Sequence, residues 1–384
     1  MQYICTMPDN LHIADFLAPI KLAVIANDDP YHDGQLGRLV HVYETEFPDL
    51  NEADIVIVGC ADQRGSGPFK TSYSTDLVRH ELYRMYQWHD QFNIADIGNI
   101  VQGASLTDTY AALKTICKEI QALNKPLIII GGSHDLTLSQ YYAFADTQRI
   151  IEAVCVDALI DLDTNSPSPA DHFLMEILTG EPNFIRHYNH IGFQSYYVHP
   201  HMLETLDKLR FDCYRVGKVR ENIEEMEPVI RHAELFSFDI SAIANAYAPA
   251  NRVSPNGFTG DEACALFRYA GMSAVTTSIG IYGYESLNDK ENLTAKQIAQ
   301  MLWYYIEGRS RGRREAGMTE KEAFNEYHTA FAEVATTFLQ SKRTGRWWMQ
   351  LPDKQYIACS YNDYVQASTN EIPERWLRAQ ERSV

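Results

Sequence analysis

Short, unbroken apolar runs recur along this chain, each ending in glycine or an acid, with helical stretches between most of them. ADIVIVGC (53–60), IADIGN (94–99), PLIIIGG (126–132), IIEAVCVDA (150–158), HIGFQS (190–195), FDCYRV (211–216), LFSFDIS (235–241) and SAVTTSIGIYG (273–283) are the eight runs. A strand that is apolar on both faces must be covered on both faces, and alternation with helices is how a parallel sheet achieves that. The pattern predicts one large α/β domain. Between the runs, a helix is expected over Leu106–Leu123, capped by Ser105, and another over residues 295–308, with Ile298, Met301, Leu302, Tyr305 and Ile306 on one face.

Composition narrows the class. Of 384 residues, 45% are hydrophobic and 22% charged, which suits a globular chain. The net charge of −18 argues against nucleic acid and anionic membrane surfaces as partners. No run is long and apolar enough for a spanning helix, and the first residues lack the basic and apolar regions of a signal peptide. Seven scattered cysteines without a CxxC pattern read as buried free thiols, which points to the cytoplasm.

In open parallel sheets, function gathers at the carboxyl ends of the strands. Three ends carry chemistry here: Gly131-Gly132-Ser133-His134-Asp135, Asp157-Ala158-Leu159-Ile160-Asp161, and Asp239-Ile240-Ser241. One imidazole with several carboxylates suits a divalent cation of the Mn2+ or Mg2+ type. A lone Asp at a strand end is more often a helix cap or turn former, so these residues alone leave a polar or metal site and ordinary capping both open.

These three segments resemble the G-G-x-H, D-A-H-x-D and S-F-D-x-D motifs of the ureohydrolases: arginase, agmatinase and formimidoylglutamase. Residues 58–69 with Asp76 and Arg79, IADIGN, and Gly257-Phe-Thr-Gly-Asp-Glu262 extend the likeness over about residues 52–306. The resemblance implies a three-layer α/β/α sandwich with a mostly parallel eight-stranded sheet. It divides the chain into an N-terminal elaboration (1–51), the ureohydrolase-like domain (52–308) and a C-terminal helical extension (309–384). That extension resembles those of arginase-like proteins from Bacteroidetes.

Active members of the family use six side chains to hold two Mn2+ ions that together activate water. His134, Asp157, Asp161 and Asp239 match four of the six, whereas Leu159 and Ser241 stand where the family has its second His and last Asp. By the same resemblance, the four retained residues are the complete set of one ion, and the two lost residues belong to the other ion alone. The expectation is at most one Mn2+ per chain, or none. The acid that would receive amidine or guanidinium nitrogens falls at Gly283 in the preferred register, or at Ile281, with Glu285 off-register. Candidate catalytic residues reduce to Asp161 and to His172, which stands near the place of a proton-shuttling His in arginases.

Two functional classes follow: a non-catalytic or altered-function binding protein on this fold, or a metal-dependent hydrolase of carbon–nitrogen bonds in linear amidines. A small amidine or guanidino compound is the expected ligand of either. Arg309, Arg311, Arg313 and Arg314, with Trp347, Trp348 and Trp376, form a tail suited either to a protein partner or to packing on its own domain. Oligomers are compatible with this reading. Residues 319–341 are expected to form an amphipathic helix, and residues 36–47 another.

Overall fold

A computed structural model describes residues 11–67, 74–88 and 92–383. Cys5, and Pro68 and Phe69 of the 58–69 motif, fall outside the described residues. Fourteen strands occur among the described residues: β1 (Leu17–Ala18), β2 (His41–Val42), β3 (Ile55–Cys60), β4 (Ile94–Ile100), β5 (Leu127–Gly131), β6 (Ile151–Val156), β7 (Ile185–Phe193), β8 (Asp212–Arg215), β9 (Leu235–Asp239), β10 (Ser278–Tyr282), β11 (Phe324–Phe331), β12 (Val334–Ser341), β13 (Trp347–Gln350) and β14 (Tyr356–Cys359). The first ten form one sheet in the order β1-β4-β3-β5-β10-β9-β6-β7-β8, with β2 also on β4. Only the β1–β4 pairing in this sheet is antiparallel.

All eight expected strands are present. The sheet gains β1 and β2 from the N-terminal segment, so ten strands replace the expected eight. The helix expected over residues 36–47 is only Leu36–Leu39, because His41–Val42 turn extended and pair with Ala95–Asp96.

Alternation along each strand divides the core in two. Ile55, Ile57, Ile128 and Ile130 face one side, with Leu302 and Tyr305 of helix Leu293–Gly312. Val56, Val58, Leu127 and Ile129 face the other, with Leu113 and Ile116 of helix Leu106–Ala122. The Ser105–Asp108 capping box starts the second helix as its sequence predicts. Arg79 and Asp96, both fully buried, join helix Ser74–Tyr83 to β4 through two parallel hydrogen bonds of 2.7 and 3.0 Å.

The C-terminal segment differs from expectation. Residues 319–341 are not a helix: β11 and β12 form a hairpin paired from Phe324–Ser341 to Phe331–Val334. The two turn residues, Ala332 and Glu333, both have positive φ, 48° and 64°, as a two-residue hairpin loop requires. A four-stranded antiparallel sheet, β11-β12-β13-β14, follows, with helices Tyr361–Ser368 and Glu374–Ser383 after it. Trp347, Trp348 and Trp376 are buried within the chain. Arg231 secures the junction: it pairs with Glu227, donates to the Trp347 carbonyl across 2.8 Å, and lies over the Trp348 ring. The arginine run is engaged as well: Arg309 donates to Ser273 O, Arg311 pairs with Glu307, and Arg313 pairs with Asp54. Among the described residues no helix is long and apolar enough to cross a membrane.

Candidate metal centre

Register brings the polar strand ends together. Ile130 pairs with Ile281, Ile281 with Phe238, and Phe238 with Val156, so β5, β10, β9 and β6 finish at one level. The residues that follow therefore emerge side by side: the Gly131–Ser133 turn leading to His134, then Tyr282 with Gly283 after it, Asp239 and Asp157. Gly132 is required there, since a Cβ would lie 1.9 Å from the Asp62 carbonyl oxygen.

His134 sits at the centre, buried between Phe173 and Tyr282. Its Nε2 is 2.9 Å from Ser237 Oγ, which orients the ring. Its Nδ1 faces Asp157 Oδ2 at 2.8 Å, Asp161 Oδ2 at 3.1 Å and Asp239 Oδ2 at 3.9 Å. The carboxylates divide their oxygens. Asp157 Oδ1 accepts from the Leu159 amide (2.9 Å) and the Ser241 hydroxyl (2.5 Å), while Asp239 Oδ1 accepts from the Ser241 amide (2.8 Å). Capping and convergence thus coexist: one oxygen holds the local loop and the other points to the centre.

Crowding shapes the protonation of the ion-free centre. Burial, then the Asp157 charge, pushes Asp161 up to about 8 and Asp239 up to about 6. Burial also opposes ionisation of Asp157, but the adjacent His134 imidazole, with hydrogen bonds from the Leu159 amide and the Ser241 hydroxyl, holds it below the ordinary value. His134 is desolvated, yet Cys155, Asp157 and Asp161 around it raise it well above an ordinary imidazole.

The donors of His134, Asp157 and Asp239 all lie within 4.8 Å of one another. His134 Nδ1 is buried and has no hydrogen-bond partner of good geometry. A buried nitrogen aimed at converging carboxylate oxygens fits one hard-to-intermediate divalent cation. A second ion fits poorly. Leu159 offers it no donor, and the Ser241 hydroxyl and amide occupy Oδ1 of the two carboxylates it would share.

A cleft of about 290 Å3 opens over these groups. His134, Asp157, Asp161 and Asp239 line it, as do Leu159 and Ser241. His172 is not among the lining residues; it stands at the N-cap position of helix Phe173–Thr179 without a side-chain capping bond, and its neighbour Asp171 lines the cleft instead. Gly283 lies against Asp239, at φ +78°, and Ile281 is a buried strand residue. Glu285, although off-register, lines the same cleft, and so does Arg252. Sequence reasoning assigned nothing to Arg252, since a loop residue carries no periodic signal. The nearness of Glu285 to the expected acid was the one available hint.

The comparisons agree with this architecture. The family model described as the arginase family matches residues 53–307. Formimidoylglutamase of Staphylococcus haemolyticus is 22% identical over 157 residues, covering 37% of this chain; the chain spans about half the length of that curated relative. Trypanosoma cruzi formiminoglutamase with Mn2+ superposes with a TM-score of 0.64 at 15% identity, covering 73% of this chain and 99% of that one. Formimidoylglutamase from Bacillus subtilis gives 0.64 at 15% identity, with 73% and 94% covered. Agmatine ureohydrolase of Thermoplasma volcanium gives 0.57 at 19% identity, with 74% and 96% covered. A family match over most of the chain, with the strand ends placed as described, means that this chain belongs to the arginase family.

Proposed function

We propose that this chain is a ligand-binding member of the arginase family whose centre takes at most one Mn2+ ion and does not perform two-ion ureohydrolysis. The observation that carries this reading is the Ser241–Asp157 hydrogen bond. It uses a carboxylate oxygen that a second ion would need, at the place where the second ion's own ligand is missing. His134, Asp157, Asp161 and Asp239 would hold the single ion, which when bound supplies Lewis acidity and neutralises the carboxylates. The chain itself supplies an acidic cleft with the apolar Leu159 and the acid Glu285 in its wall. That suits a nitrogen-rich, cationic head, and the proposed ligand is a linear amidine or guanidino compound. The cytoplasm is the proposed compartment, consistent with six free cysteines among the described residues.

The catalytic alternative, hydrolysis of an amidine carbon–nitrogen bond with one ion, draws on one observation: Glu285 places an acid in the cleft despite the loss at position 283. The discriminating experiment is release of urea or formamide from arginine, agmatine and formimidoylglutamate by the Mn2+-loaded protein. Turnover well below about 1 s−1 supports the binding reading, and turnover at or above that ordinary enzymatic rate overturns it.

A further inference from the structure

Asp157, the carboxylate that meets His134 most closely, leaves the sheet just past the end of β6. Strand β7 continues beside it and carries a buried imidazole to that point. His190 is fully buried, and its Nε2 lies 3.2 Å from the Asp157 carbonyl oxygen. A carbonyl oxygen can only accept, so Nε2 carries the hydrogen and donates. The other ring nitrogen, Nδ1, lies 2.9 Å from the hydroxyl of the buried Tyr188. Tyr188 and His190 are two residues apart on one strand, so they share a face of the sheet. Both ring nitrogens are engaged, and together the two bonds orient the ring.

The bond from His190 falls on a peptide that is held from both sides. Its carbonyl, of Asp157, takes the His190 donor, while its amide, of Ala158, donates to Ser241 Oγ across 3.3 Å. Ser241 Oγ in turn donates to Asp157 Oδ1, and the Leu159 amide donates to the same oxygen. With the peptide fixed, Oδ1 stays on its two donors and Oδ2 stays 2.8 Å from His134 Nδ1. The flanking backbone is tied to β7 as well: the Asp157 amide donates to Ile191 O (3.0 Å), and the Gln194 amide donates to Ala158 O (2.9 Å). His190 adds a side-chain donor between those two ties.

A buried strand by itself does not call for an imidazole here. His190 stands opposite Cys155 on β6 and Cys213 on β8, where an apolar side chain would avoid burying two ring nitrogens. What the imidazole adds is one directed donor on the backbone of a residue of the metal centre. The geometry of such centres depends on the groups that orient the ligands. We propose that His190, oriented by Tyr188, is a positioning residue of the ion centre, holding the Asp157 peptide so that Oδ2 of its carboxylate stays turned toward His134. This rests on the single-ion reading above and adds to it the side chains that set the geometry of that site.

Calorimetric Mn2+ titration of the full chain tests this with three variants. His190→Phe keeps a ring but loses the donor, and is expected to weaken Mn2+ binding about tenfold. His190→Gln, whose amide can place a donor at similar reach, is expected to stay within about threefold of the unaltered chain. The electron paramagnetic resonance spectrum of the bound Mn2+ is expected to match the unaltered chain in His190→Gln and to differ in His190→Phe. Lost stability alone would not produce that difference. Tyr188→Phe removes a single hydroxyl and is expected to shift both readouts in the direction of His190→Phe, and it carries the test where His190→Phe does not fold. Unchanged affinity and spectrum in either phenylalanine variant overturn the positioning role while leaving the single-ion reading intact. An equal loss in His190→Phe and His190→Gln does the same, because the donor would then not be what matters. Absence of Mn2+ binding by the unaltered chain overturns both.

Discussion

Ser241 donates its hydroxyl hydrogen bond to Asp157 Oδ1 across 2.5 Å, joining the ends of two adjacent strands. The same hydroxyl accepts from the Ala158 amide. A neutral residue has thus taken over structural contacts in a position where a carboxylate would repel Asp157 and Asp239. On the proposed reading, a serine here supplies no charged ligand and adds no further charge beside Asp157 and Asp239.

Reversal should therefore be costly without metal. The double variant Leu159→His, Ser241→Asp is expected to unfold at lower temperature than the unaltered chain in EDTA, by about 2 kcal/mol of stability, because it buries another unpaired charge. Saturating Mn2+ should recover the loss and raise the bound metal from one ion per chain to two. Thermal unfolding with and without Mn2+, together with elemental analysis, checks both halves.

Installing the missing acid at position 283 should fail. Gly283 has φ +78°, and a Cβ there would lie 2.5 Å from Asp239 Oδ2. Gly283→Glu is expected to cost at least ~1–3 kcal/mol through backbone strain alone, and to weaken Mn2+ binding by displacing Asp239. Gly283→Ala should show most of the same loss. An undiminished melting temperature in either variant would contradict this account of the strand end.

Protonation of the ion-free centre gives a pH signature. Asp161 is raised to about 8 and Asp239 to about 6 from an ordinary 3.8, so the folded chain holds protons that the unfolded chain has released. Their contribution makes ion-free stability fall as pH rises from about 4 to about 8. His134, also raised, acts in the same direction above its ordinary value. Between pH 6.5 and 8, melting temperature in EDTA should decline with a slope that Asp161→Asn reduces. Mn2+ binding near pH 7 should release protons, read by calorimetry in buffers of different ionisation enthalpy.

The C-terminal sheet should contribute to the stability of the whole. Arg231 is buried with Glu227 and holds the Trp347 carbonyl. Arg231→Ala is expected to cost about 3–5 kcal/mol by leaving Glu227 buried without this partner. Denaturant unfolding followed by tryptophan fluorescence measures it, since Trp347 and Trp348 lie at the junction.

Physical patterning explains which features could be read from the chain. β5, β6 and β9 were legible because each is a continuous apolar run cut off by a polar residue, and that boundary also marked His134, Asp157 and Asp239. The β11–β12 hairpin was not. Its turn, Ala332-Glu333, has neither Gly nor Asn despite two positive φ values, and its apolar residues Phe324, Tyr327 and Phe331 fall at helical spacing. β1 and β2 are two residues each, too short to leave a periodic trace. Arg252 and Glu285 meet only through the loop that Asn251 organises, a tertiary relation without a local pattern.

The metal content of the unaltered chain tests the central claim most directly. Protein stripped with EDTA, returned to excess Mn2+, and freed of unbound ion should retain one Mn2+ per chain by elemental analysis. The single-ion signal should disappear in His134→Ala. Two tightly held ions per chain would contradict the account, because Leu159 and Ser241 would then have failed to remove the second site.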